Sequence, residues 1–196
     1  MCIDERGPSP VPAHRDEVLD YQGYIRSLEP ITSSGRGEAL PCSRATTFPA
    51  IRYPDDHAPE GLYHLNMARH HLVEACSEIV RRYHHDAPNQ ITAPTADRSL
   101  RYADADAEDV SRVLAGHGAA LRQWAPSKYR LMLAGGALSS FLAGRRLAGL
   151  RYSAAILTRE PLSARAWARV CAGMLGSRAL ATLQSAKSAA RRRFLE

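Results

Sequence analysis

The chain has 196 residues, enough for one domain or slightly more and for a hydrophobic core that needs neither disulfides nor metal. Hydrophobic residues make up 45% and charged residues 23%, which excludes a wholly disordered chain. The net charge of +6 is unevenly distributed: residues 1–98 hold 10 basic and 14 acidic side chains, whereas residues 99–196 hold 16 and 6. The resulting net charges, −4 and +10, predict an anionic partner for the second half.

The cysteines and the first residues predict a cytoplasmic protein. None of the 4 cysteines has a partner at CxxC or zinc-finger spacing, which is typical of reduced thiols. No apolar run follows a basic start, so no signal peptide is predicted. The longest weakly polar stretch, Leu131 to Ala143, is shorter than the roughly 20 residues of a membrane span. We expect a cytoplasmic location, with a peripheral position on the inner face of the membrane as an open alternative.

Prolines are concentrated before residue 61 and predict a largely irregular start. Proline removes a backbone donor and disfavours helix in the preceding residue. Only Arg15 to Leu28 has the length and pattern of a helix there. Residues 1–37 are therefore interpreted as an irregular N-terminal segment.

The next elements are predicted from residue 60 onward. Leu62, Leu65 and Ala68 recur at helical spacing and predict a helix over residues 60–71, with Glu60 in its first turn. Residues 71–76 and 79–84 then form two short strands, or the helix continues through Tyr83. The sequence leaves both possibilities open.

Alanine-rich helical blocks follow from residue 105. The predicted helices run from an Asp106 N-cap to Trp124, from Ser127 toward Gly149, from Leu150 to Arg159, from Pro161 to Leu175 and from Ser177 to Arg193. Residues 101–196 are thus interpreted as a basic helical tail. The predicted fold class is α+β and predominantly helical, with two short strands before the tail.

Three polar clusters are candidate sites. The acidic loop at residues 52–60 allows two interpretations. Its carboxylates could act as a general base or hold a metal, or the loop could simply be solvated and precede a helix. Adjacent imidazoles in His70–His71 and His84–His85 point in different directions, and no HxxxH or HExxH spacing occurs. Asp104–Asp106 is interpreted as part of a helix start. No residue is therefore predicted as a metal ligand.

The basic tail carries a different kind of signal. Arg165 and Arg169 lie at helical spacing, with Trp167 between them. A basic amphipathic helix of this type can lie on an anionic membrane surface or contact the phosphates of nucleic acid. The same pattern also occurs on merely solvated helices, so the sequence leaves three readings open.

The middle of the chain resembles a known family. The segments that carry the resemblance are Glu38 to Arg44, Phe48–Pro49, Arg52 to Pro54, Pro59 to Leu65 and Val80 to Thr92. Together they resemble the acceptor half of family 2 glycosyltransferases of the GT-A fold, and residues 38–100 are assigned to such a partial acceptor region. The helices after residue 105 are similar to the helical tail of many bacterial members.

The resemblance implies sugar transfer from a nucleotide-sugar donor to a glycan or lipid acceptor, with Mn²⁺ or Mg²⁺ as cofactor. Glu60 would match the first acid of the family's Glu-Asp pair, and Gly61 stands where the base is expected, so Asp56 or Asp55 would have to replace it. The resemblance assigns substrate binding to Arg52, Asp55, Arg82, His84 and His85.

Two hypotheses follow. In the first, the chain is a glycosyltransferase-like protein that lacks the donor-binding half, as a truncated product, a split subunit or a degenerate paralogue would. Whether such a chain is active by itself stays open. In the second, it is a non-enzymatic basic helical module that binds an anionic partner. The candidate partners are a membrane surface, a nucleic acid and a protein.

Overall fold

The computed structural model describes residues 2–4, 17–29, 60–75, 81–83, 100–177 and 180–181. This part of the chain contains six helices and four short strands, which confirms the α+β, predominantly helical fold class. The chain divides into two compact units. The first comprises residues 1–91 and 117–128, and the second comprises residues 92–116 and 129–196.

The first unit contains all four strands. Its elements are β1 (Cys2–Asp4), β2 (Glu17–Leu19), α1 (Tyr21–Ser27), α2 (Glu60–His70), β3 (Val73–Ala75) and β4 (Arg81–Tyr83). β1 pairs with β4 in parallel, with Ile3 opposite Arg82. β2 pairs with β3 antiparallel, with Val18 opposite Glu74. The two sheets each have two strands.

The helix predicted from Arg15 to Leu28 is correct only in its second part. Glu17–Leu19 pair with β3 as a strand, and the helix begins after Asp20. The Asp20 carboxylate accepts a hydrogen bond of 2.7 Å from the Gly23 N–H, which satisfies one of the free amides at the helix start. A side-chain cap therefore sets the boundary that the apolar spacing did not reveal.

The prediction after residue 60 is confirmed. α2 ends at His70 and two short strands follow it, so a helix that continues through Tyr83 is wrong. Tyr63, Leu65 and Met67 of α2 are buried, as are Ile25 of α1 and Leu121. These apolar side chains form the interior of the first unit.

Two long helices contribute to both units. The second unit contains α3 (Ala103–Trp124) up to residue 116 and α4 (Pro126–Leu142) from residue 129. The remaining residues of both helices belong to the first unit. Asp106 is not the N-cap of α3, because the helix has already begun at Ala103 and the Asp106 N–H donates to the Tyr102 carbonyl at 2.8 Å. Its carboxylate instead lies in the first turn, where the helix dipole favours negative charge. The predicted end at Trp124 is confirmed.

The start of α4 is capped from a distant part of the first unit. Pro126 is the first helical residue, a position where its missing N–H is not needed. The N–H groups of Ser127 and Lys128 donate to the two carboxylate oxygens of Glu29, at 2.7 and 3.2 Å. Ser127 is therefore not the cap that the sequence predicted, because a carboxylate 98 residues away takes that role.

The end near Gly149 that was predicted for the helix from Ser127 is also wrong. α4 ends at Leu142, and the chain turns through Gly144 at a φ of 75°, a conformation that favours glycine. α5 (Arg146–Leu157) then begins well before the predicted Leu150. The run is therefore two helices joined by a glycine turn.

The last fully described helix is α6 (Ala164–Met174). Its N-cap is Ser163, whose hydroxyl accepts a hydrogen bond from the Ala166 N–H, so Pro161 lies in the preceding turn and not in the helix. Gly176, at a φ of 104°, follows its C-terminus. Ser177, Leu180 and Ala181 are helical, and the rest of the helix predicted to Arg193 lies outside the described residues.

The core of the second unit is built around Phe141, which is 1% exposed. Its ring lies directly against Gly149 of α5 and Gly173 of α6. Leu133 of α4, Ile156 of α5 and Ala166 of α6 form a second buried cluster. These contacts determine which side of α6 faces inward and which faces solvent.

Candidate functional site

The residues that the resemblance assigns to a reaction centre lie largely outside the described part of the chain. Glu60 is the first residue of α2, and Arg82 is the middle residue of β4, where only the backbone is described. Arg52, Asp55, Asp56, His84 and His85 lie outside the described residues. The structure therefore neither brings this set together nor separates it.

The divalent metal implied by the resemblance has no ligand set among the described residues. No group of three or more His, Cys, Asp or Glu side chains in those residues could hold a metal ion. His70 and His71 are exposed at the end of α2. The described residues therefore do not form the divalent-metal site that the resemblance implies.

A buried histidine in the first unit is the clearest polar cluster there. The His117 side chain is 1% exposed. Its Nε2 lies 3.0 Å from Asn66 Oδ1, which can only accept, so Nε2 carries the proton. Nδ1 is then the acceptor of the Tyr21 hydroxyl, which donates at 2.7 Å. Both ring nitrogens are therefore satisfied by protein groups.

The same environment keeps this cluster neutral. Burial, together with the nearby charge of Arg69, lowers the pKa of His117 below its ordinary value. Burial raises the pKa of the Tyr21 phenol, with a smaller opposing effect of Arg69. A neutral imidazole with no free nitrogen has no lone pair left for a substrate proton. We interpret the Tyr21–His117–Asn66 network as a structural tie between α1, α2 and the end of α3.

The charges of α5 and α6 are all of one sign. The two helices carry four arginines and no carboxylate: Arg146, Arg151, Arg165 and Arg169. The ion pairs seen between described residues of the second unit join Arg112 to Glu108, Arg130 to Glu160 and Arg145 to Asp104. Within the described residues, none of the four arginines of α5 and α6 has a carboxylate partner.

Arg165 and Arg169 are the closest pair of these charges along a helix. Like charges four residues apart repel each other on the same side of a helix. Burial, and then the charge of Arg165, lower the pKa of Arg169, which is half-buried. An anion placed between the two guanidinium groups would relieve that repulsion, and arginine binds phosphate oxygens through two parallel hydrogen bonds.

The side of α6 that faces solvent is unusually apolar. We define the α6 apolar surface as Leu162, Trp167, Cys171, Met174 and Leu175. The four large members are 94% (Leu162), 51% (Trp167), 54% (Met174) and 73% (Leu175) exposed. Cys171 is an exposed free thiol between them. Among the exposed positions of α6 itself, only Arg165 is charged. A surface helix ordinarily presents polar side chains to water, so this pattern is the reverse of the usual one.

Local contacts hold this surface in place. The Trp167 indole N–H donates to the Pro161 carbonyl at 2.9 Å, which fixes the ring against the turn before α6. On the inward side, Gly173 contacts the Phe141 ring and Ala166 is buried. The apolar side chains therefore stay exposed because the opposite side of the helix already forms the core contact.

Sequence reasoning identified only part of this surface. Only Trp167 of this surface was singled out from the sequence, together with the helical spacing of Arg165 and Arg169, which are not part of it. The signal that could have found Cys171, Met174 and Leu175 is their spacing from Trp167, at i+4, i+7 and i+8. No described helix is both long enough and apolar enough to cross a membrane.

In comparisons with known proteins, no protein-family model, no curated protein and no solved structure matches this chain.

Proposed function

We propose that the second unit is a helical module that binds an anionic partner. The observation that carries the proposal is the uncompensated positive charge of α5 and α6, whose four arginines have no carboxylate partner among the described residues. Because no described carboxylate holds these guanidinium groups, they can contact phosphate, sulfate or carboxylate groups without first breaking an ion pair among the described residues.

A polyanion column tests this proposal. Full-length protein is expected to be retained on immobilised heparin at low salt and released as salt screens the charges. Replacing Arg165 and Arg169 with glutamine should lower the salt concentration needed for release, because these two charges lie together on one helix. The matched control replaces the exposed Arg26 and Arg122 of the first unit with glutamine, which removes the same net charge. The proposal fails if wild type is not retained or if both variants shift equally.

The glycosyltransferase-like function stays a prediction, since the residues assigned to it are not described as a group. Any donor binding that survives without the donor-binding half would release heat when the protein is titrated with a nucleotide-sugar in the presence of Mn²⁺ or Mg²⁺. Replacing His84, which the resemblance assigns to substrate binding, with alanine should weaken any such binding, whereas replacing Glu108, which lies on α3, with glutamine should leave it unchanged. Absence of heat with every nucleotide-sugar tested would remove independent donor binding.

A further inference from the structure

We draw no further inference here: the strongest candidate, the α6 apolar surface, lies on a different side of the helix from Arg165 and Arg169, and nothing in the structure shows what covers it.

Discussion

Replacing Gly173 with alanine is expected to lower the free energy of unfolding of the second unit by about 1–3 kcal/mol, the usual cost of overpacking a core. A Cβ atom at this position would lie 2.5 Å from Cγ and Cδ1 of the Phe141 ring. The ring is 1% exposed, so it has no solvent-filled space into which it can move. Gly149→Ala should act in the same direction, since its Cβ would lie 2.7 Å from the same ring.

Two other glycines provide matched controls for the intrinsic effect of alanine in a helix. At Gly135 of α4 and Gly116 of α3, a Cβ atom would meet no neighbouring atom within 4 Å. Alanine at either site should therefore stabilise the helix by about 0.5–1 kcal/mol. Urea unfolding followed by circular dichroism measures all four variants. Equal effects at Gly173 and Gly135 would contradict the close packing of Phe141 against α6.

A double-mutant cycle isolates the contact itself. Phe141→Leu alone should destabilise the second unit, because a smaller side chain leaves a cavity. In that background Gly173→Ala should lower the free energy of unfolding by less than in wild type, since the ring that overlaps its Cβ atom is gone. The expected coupling is on the order of 1 kcal/mol, within the range for residues in direct contact. Strictly additive effects would show that the two residues do not share one packing space.

The same glycines explain why helix boundaries were harder to predict than helices. The stretch from Gly135 to Gly149 contains four glycines, and their sequence neighbourhoods do not say which one turns the chain. Gly144 adopts a φ of 75° and ends α4, whereas Gly136 and Gly149 sit where neighbouring side chains leave no room for a Cβ. Only tertiary packing separates these roles. Periodicity therefore predicted two helices correctly but placed the boundary between them near residues 149–150, whereas the structure has it at residues 143–145.

Distant contacts account for what sequence reasoning missed elsewhere. The helix over residues 60–71 and the strands after it were predictable because their signals are local: apolar spacing first, then β-favouring residues. The hydrogen bond from Ser127 to the Glu29 cap joins residues 98 positions apart, and the Tyr21–His117 hydrogen bond joins residues 96 positions apart. No local sequence pattern indicates either contact. On α6 the spacing of the arginines was visible, but the exposed side is determined by the Gly173 contact with Phe141.

Loss of His117 is expected to have the second large effect, here on the first unit. His117→Leu removes the acceptor of the Tyr21 hydroxyl and the donor to Asn66, leaving two half-buried polar groups without those partners. Each such group costs about 1–3 kcal/mol when fully buried, so about 2–4 kcal/mol in total is expected at these partly exposed positions. Tyr21→Phe removes one partner only and should cost less. A His117→Leu protein as stable as wild type would show that the network contributes nothing.

The pH dependence of stability separates a titrating histidine from a merely well-packed one. The pKa of His117 is lowered in the folded chain, so the unfolded chain binds the proton more readily. The stability that this difference contributes is present at high pH. It is lost as pH falls below the ordinary histidine value, about 6.5, toward the lower folded value. Wild type should therefore lose stability over that window, by at most about 1.4 kcal/mol per pH unit for this one group.

The variants should differ in this slope in a defined order. His117→Leu should lose the part of the slope that His117 contributes, because the titrating group is gone. Arg69→Gln should reduce it only partly, because burial is the larger cause of the lowered pKa and the Arg69 charge the smaller one. Urea midpoints measured across the window give the three slopes. If the stability of wild type and of His117→Leu changes with pH at the same slope, folding does not resist protonation of His117. The interpretation of Tyr21–His117–Asn66 as a neutral network is then wrong. An Arg69→Gln slope as small as that of His117→Leu would instead make the arginine charge, and not burial, the main cause.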